Sequence, residues 1–430
     1  MKNKFKLLFL ALPAFLLSSC DFTYTYIVAG LDSSSGGGDV IDDGIEDSGT
    51  YDIKIWVDDA IVDLTRTQVQ QFVTDNGSKY KINLTIEPQS EGNAASSMLQ
   101  DVTLGADIFA FAQDQLARLK VAGAVGKLNS TYLNVVTERN SEDSIQAATL
   151  GSSVYAFPLT NDNGYFLYYD KRVISEEDAK SVTKIMQKCK AAGKTFNFPA
   201  RGDGFYSASY FLGAGCKTSW DIDEVSGSFT AFHDDFNSAN GLKAAKGLRE
   251  VADKSIVSTD AIASRLGEKS AALVSGIWNY EVAKNRLGDN LGCAELPSYT
   301  VDGENIHLGS YDGFKLLGVK PQVDSKKASV CRKLALYLTS ETCQTERFHA
   351  VSWGPTNVNS AKEEAVVNHP GLAALAKQHE YATIQSQCPG TWYLHLATTA
   401  KAIELNSTDA QLQAALTNYK NGLPDLLSED

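Results

Sequence analysis

Apolar residues alternate at Ile53, Ile55 and Val57, a period of two that predicts a half-buried strand. Between Leu64 and Asn76 the period lengthens. Val69, Phe72 and Val73 then share one helical face, and Gly77 is a natural stop. Alternation returns at Ile82, Leu84 and Ile86, a second helix is predicted over 94–104, and Ile108-Phe109-Ala110-Phe111-Ala112 reads as a buried strand. A third helix is predicted from about Gln113 to Gly123. Strand and helix alternating at this spacing argue for a parallel α/β sheet. Ligands of such sheets sit beyond the carboxyl ends of the strands. That rule brings Asp58-Asp59, Ser90-Glu91 and Gln113-Asp114 together on three successive loops.

Farther along, Tyr155 to Pro158 predicts a short strand, Asn161-Asp162-Asn163-Gly164 breaks it, and Tyr165 to Tyr169 resumes extended structure. Helical and strand patterns alternate to Gly276. Leu296-Pro297-Ser298-Tyr299 and Gly309-Ser310-Tyr311-Asp312-Gly313 read as crossings between elements. The last third is mostly helical, over 329–338, 341–350, 371–379 and 392–404. No internal repeat is visible, and 430 residues suit two domains of ordinary size.

The first 50 residues follow a different pattern. Lys2, Lys4 and Lys6 precede an apolar run from Leu7 to Leu17, and Leu17-Ser18-Ser19-Cys20 follows. These are the parts of a secretory signal, and eleven apolar residues are too few to cross ~30 Å of hydrocarbon. With Cys20 at the junction, the pattern resembles a bacterial lipobox. That resemblance implies cleavage of 1–19, lipidation of Cys20 and a place on the outer face of the cell membrane, extracellular or periplasmic. Residues 20–50 then read as a flexible acidic tether. Ser33-Ser34-Ser35-Gly36-Gly37-Gly38 has linker composition, and 21–50 holds seven acids with no Lys or Arg. Asp39, Asp42, Asp43, Glu46 and Asp47 miss the calcium-loop spacing and read as solvated charge.

Losing Lys2, Lys4 and Lys6 would take the net charge from -13 to -16, a poor balance for partnering nucleic acid or an anionic bilayer. Six cysteines remain after Cys20: Cys189, Cys216, Cys293, Cys331, Cys343 and Cys388. They allow 15 disulfide pairings, and buried free thiols fit equally well. No zinc spacing, H-E-x-x-H or G-x-S-x-G occurs, and the sequence calls for no cofactor or metal. Gly193-Lys194-Thr195 ends like a phosphate loop, but Lys188 stands where the first glycine belongs. Asp162 and Asp203 are carboxylates of the kind glycoside hydrolysis uses.

Aromatic residues recur beside small polar ones at element ends. Phe205-Tyr206 follows Arg201-Gly202-Asp203-Gly204, Trp278 follows Gly276, Trp353 precedes Gly354-Pro355, and Trp392-Tyr393 follows Pro389-Gly390-Thr391. Flat rings suit the C–H faces of pyranoses, and carboxylates accept from sugar hydroxyls. Core packing competes for each ring. Trp56, inside an alternating strand, is assigned to the core, and Trp220 to neither role.

From Tyr51 to Leu423 the chain resembles the extracellular solute-binding proteins of ABC importers, of the maltose and maltooligosaccharide type. The carrying segments are Ile53-Lys54-Ile55-Trp56-Val57, Gly105 through Asp114, Gly123-Ala124-Val125, Tyr155-Ala156-Phe157-Pro158 before Tyr168-Tyr169-Asp170-Lys171, Ser275-Gly276-Ile277-Trp278, and Leu296-Pro297. The resemblance implies a two-lobe α/β fold of the periplasmic-binding-protein type (type II), with a hinge and an interlobe cleft. Lobe one would be 51–160 plus 306–355, and lobe two 161–305 plus 356–425. It implies Phe111 and Asp114 as lobe-one contacts, Asp162 at the crossing, and Asp203, Phe205, Tyr206, Trp278 and Trp392 on lobe two. Glu91, Tyr165, Ser310, Tyr311 and Trp353 join them by position.

The function so implied is capture of an oligosaccharide, a maltooligosaccharide above all, by a monomer that delivers it to the membrane subunits of a permease and makes or breaks no bond. Two departures bear on the ligand. Asp114 is followed by Gln115 where the maltose pattern has arginine, and His395-Leu396 stand where another arginine is expected. Another glycan or a polyamine on the same fold, a surface glycoside hydrolase, and an adhesion module are the alternatives.

Overall fold

The computed structural model describes residues 24–29 and 41–428. Cys20, the signal segment, the linker stretch 33–38 and Asp39 lie outside the described residues.

Two separate sheets organise the molecule. The first has six strands in the spatial order Tyr24–Ala29, Tyr80–Pro88, Gly49–Val57, Ile108–Ala112, Lys315–Val319 and Ala156–Thr160. Its three central N-terminal strands are parallel, as the alternating pattern predicts. The sheet as a whole is mixed, which corrects the parallel expectation. Lys315–Val319 runs antiparallel to both of its neighbours, and Tyr24–Ala29 runs antiparallel to Tyr80–Pro88. The reason is that strands from distant parts of the chain complete the sheet. The second sheet orders Val257–Ser258, Thr195–Asn197, Ser270–Ser275, Phe166–Asp170 and Leu291–Ala294. Between Thr160 and Phe166 the chain passes from one sheet to the other.

Helix Val62–Asp75 buries Val69, Phe72 and Val73, the face that the spacing predicts. It ends at Asn76, and Gly77 follows with φ +64°, a left-handed conformation that a residue without Cβ adopts readily. Strand Ile108–Ala112 is buried at every position, so its loop enters the molecule from a rigid base.

The acidic segment before Tyr51 departs from the tether reading. Asp47 is 1% exposed and accepts from Tyr80 Oη at 3.0 Å, Ser329 Oγ at 2.9 Å and Lys333 Nζ at 2.8 Å. Asp43 accepts from Tyr132 Oη at 2.8 Å and Ser329 Oγ at 2.7 Å, and pairs with Lys333 Nζ at 3.0 Å. Burial alone would raise the Asp43 carboxyl, but the bonds from Ser329, Lys333 and Tyr132 outweigh it and bring the pKa down to about 2. Asp43 and Asp47 are therefore a clasp onto the body and not solvated charge. Asp42 and Glu46 remain exposed. Cys189, Cys216, Cys293, Cys331, Cys343 and Cys388 are free thiols, all buried except the half-buried Cys293.

Candidate functional site

A cavity of about 420 Å³ lies where the loops of the two sheets meet. From the first sheet come the loops beyond three successive parallel strands: Asp58 after Gly49–Val57, Ser90 and Glu91 after Tyr80–Pro88, and Asp114 after Ile108–Ala112. These are the positions that the carboxyl-end rule selects. Gln115 fixes this rim. Its Nε2 donates to the carbonyls of Glu91 and Gly92 at 2.8 and 2.9 Å, and its Oε1 accepts from Ala95 N at 2.8 Å. The opposite wall holds Asp203, Phe205, Tyr206 and Trp278. Asp203 caps helix Gly204–Gly213 by accepting from Phe205 N, and so is held by the backbone that presents the two rings. The helix start is close against its neighbour. A Cβ at Gly204 would lie 2.0 Å from the Tyr393 carbonyl oxygen, a contact only glycine avoids.

The third wall is 385–393, with Gln385, Cys388, Pro389, Gly390 and Tyr393. Asn163, on the crossing segment, donates to Gln385 Oε1 at 2.8 Å, and Gln385 Nε2 reaches Tyr393 Oη at 2.8 Å. This chain of amides ties the crossing segment to the third wall.

Four acids (Asp58, Glu91, Asp114, Asp203) and two bases (Arg118, Lys315) line the space. Burial pushes the Asp114 carboxyl up to about 6, against the pull of Arg118. Burial also raises Glu91, opposed by Lys315. Asp203 is exposed at the rim, and the partial desolvation of the cleft raises it against its bond from Phe205 N. Glu91 Oε1 and Asp114 Oδ1 are buried with no hydrogen-bond partner among the described residues. A buried acceptor left unpaired costs roughly 1–3 kcal/mol, so each oxygen calls for a donor that the described residues do not supply.

Of the fifteen residues that the sequence nominates, the cavity brings together Asp58, Glu91, Asp114, Asp203, Phe205, Tyr206 and Trp278. The other eight stand behind or outside it. Asp59 is exposed, in the turn that Asp58 caps. Phe111 is wholly buried against Phe109, at 5.6 Å between ring centres. Asp162 is buried and occupied internally, accepting from Thr160 Oγ1 at 2.6 Å and Gly354 N at 2.7 Å. Tyr165 donates to the Phe205 carbonyl at 2.9 Å, and Tyr311 stacks on the Phe205 ring at 5.7 Å, so both support that residue from behind. Ser310 is buried next to Tyr311 in the strand Ser310–Asp312. Trp353 underlies Lys315, and Trp392 is core, its Nε1 donating to Tyr419 Oη at 3.0 Å.

A family model described as bacterial extracellular solute-binding protein matches residues 67–374. The chain belongs to that family. It is a solute-binding protein of the ABC-importer type. Comparison with curated sequences gave no significant match. Among solved structures, a chain determined with acarbose is 25% identical over 88% of this chain and 100% of that one, with a TM-score of 0.76. The maltodextrin-binding protein MalE1 from L. casei BL23, solved without ligand, is 21% identical over 89% and 100%, with a TM-score of 0.70. The maltose/maltodextrin-binding domain MalE from Bdellovibrio bacteriovorus, bound to maltotriose, is 17% identical over 87% and 100%, also at 0.70. These likenesses fix the two-lobe fold of this solute-binding protein, with its cavity between the two sheets.

Sequence reading missed Lys315, Arg118, Asn163, Gln385, Cys388 and Tyr393 as lining residues. Only Lys315 carried a signal, as a lone charge opening the apolar run Lys315-Leu316-Leu317-Gly318-Val319. Among the described residues, no helix is long and apolar enough to cross a membrane.

Proposed function

We propose that this solute-binding protein captures a maltooligosaccharide in the cavity, holds it by contacts from both lobes, and hands it to a permease without making or breaking a bond. The observation that carries the reading is the lining itself. Glu91 and Asp114, each with a carboxylate oxygen that lacks a partner among the described residues, line the same cavity as Phe205, Tyr206, Trp278 and Tyr393. Hydroxyl donors satisfy the carboxylates, and pyranose C–H faces suit the rings. Arg118 and Lys315 supply cations that the two departures in sequence had seemed to remove, now from other positions. Similar structures solved with acarbose or maltotriose favour the same ligand class.

In this reading 51–160 plus 306–355 form lobe one and 161–305 plus 356–425 lobe two, and the ligand stabilises the closed arrangement by touching both. Lipidation of Cys20 keeps the receptor on the outer face of the membrane, beside the permease. The test is calorimetric titration of the mature chain with maltose, maltotriose, longer α-glucans, β-linked oligosaccharides and spermidine, followed by product analysis. Saturable binding of α-glucans with the sugars recovered intact is the expected result. Binding of another member alone discards maltooligosaccharide, and recovered fragments replace the receptor reading with a hydrolase.

A further inference from the structure

Lys315 is a buried cation at the back of the cavity, and its surroundings are those of a bound ammonium ligand. Its side chain is 3% exposed. The Nζ lies 3.9 Å from the ring centre of Trp353 and 5.2 Å from that of Trp278. Glu91 Oε2 and Asp162 Oδ1 each stand 3.9 Å away. Neither carboxylate is within hydrogen-bond reach, and Nζ makes no hydrogen bond among the described residues. The ammonium is therefore held by two ring faces and two negative charges and not by a tight pair. Aromatic faces with nearby carboxylates are how proteins recognise alkylammonium groups.

We propose that Lys315 is a specificity-determining residue. It fills a cation cage of Trp353, Trp278, Glu91 and Asp162 from within the protein, so cationic solutes are shut out and the open cavity is left to neutral polyols. The cage geometry explains why a wall with four acids need not select a polyamine. The place where a ligand amine would find both ring faces and both charges is already taken, and the resident charge repels a second cation. The three N–H donors of Lys315 and the unpartnered Glu91 Oε1 also sit side by side, a donor–acceptor set that fits a hydroxyl group. The inference rests on this cavity being the solute site, and not on the solute being a glucan.

The test compares the mature chain with Lys315→Ala, which empties the cage, and Lys315→Met, which refills it without charge. Each is titrated calorimetrically with n-butylammonium, the free analogue of a whole lysine side chain, and with spermidine. The expected result is saturable n-butylammonium binding by Lys315→Ala, tighter than wild type by roughly 30-fold, the scale of a desolvated cation over a ring. Wild type and Lys315→Met should gain nothing. If Lys315→Ala folds poorly, the readout is its melting temperature, which n-butylammonium should raise while leaving the other two unchanged. Absence of any gain in Lys315→Ala by either readout overturns the inference, as does an equal gain in Lys315→Met or tight spermidine binding by wild type. If the sugars fail to bind while Lys315→Ala gains the amine, the glucan reading falls and the cage stands.

Discussion

Asp114 shows how much one buried carboxyl decides. Its Oδ2 meets the weak thiol donor of Cys388 at 3.8 Å, and its Oδ1 has no partner among the described residues. With the folded pKa raised from 3.8 to about 6, the native state binds the proton more tightly than the unfolded chain does. The empty protein therefore loses stability as pH rises through that window. Hydroxyl donors favour the ionised form, so ligand binding runs the other way. Affinity should fall by roughly tenfold for each pH unit below about 6. Calorimetric titrations near pH 5 and near pH 7.5 measure this, and Asp114→Asn should make the profile shallower, because Glu91, also raised by burial, keeps the rest. An unchanged profile in the variant would mean that Asp114 does not touch the sugar. Residue identity was only half legible beforehand. Trp392 and Tyr393 are neighbours in sequence but point to different sides of one helix, and composition favoured the tryptophan, which is core. Phe111 fell to the same ambiguity, because a strand buried on both faces has no cavity side that alternation can mark.

At the scale of elements, helix Gly204–Gly213 joins stability to recognition. Asp203 caps its first turn and lines the cavity at once. Asp203→Asn keeps an acceptor for Phe205 N, so it should melt within a degree or two of wild type while weakening sugar binding. Asp203→Ala should do both, losing about 1 kcal/mol of stability along with the contact. Thermal unfolding of the two variants, read beside their affinities, separates the roles. Equal affinity in all three proteins would remove Asp203 from the site. The strands and helices of 51–123 were legible because each carries its own period in a short window. The antiparallel strand Lys315–Val319 was not, because its partners at Ile108–Ala112 and Ala156–Thr160 lie more than 150 residues away and leave no local trace.

Over the whole molecule, charge pairing ties the acidic segment just before Tyr51 to the body. Lys333, in the helix Ser325–Leu338, reaches back 286 residues to Asp47. An acidic stretch with no basic residue of its own reads as solvent-exposed until that lysine is placed, which is why the segment before Tyr51 looked like tether. The same long reach builds the cavity, whose three walls come from 58–118, 203–278 and 385–393, with Asn163 and Lys315 closing the back. Capture between two lobes is thus a property of the assembled fold, and its most direct test is a crystal structure grown with maltotetraose. The expected result is sugar in the cavity, with hydroxyls within about 3 Å of Glu91 Oε1 and Asp114 Oδ1 and a ring against Trp278 or Tyr393. Sugar bound elsewhere, or a cavity in which both oxygens stay unpaired beside a ligand, would contradict it.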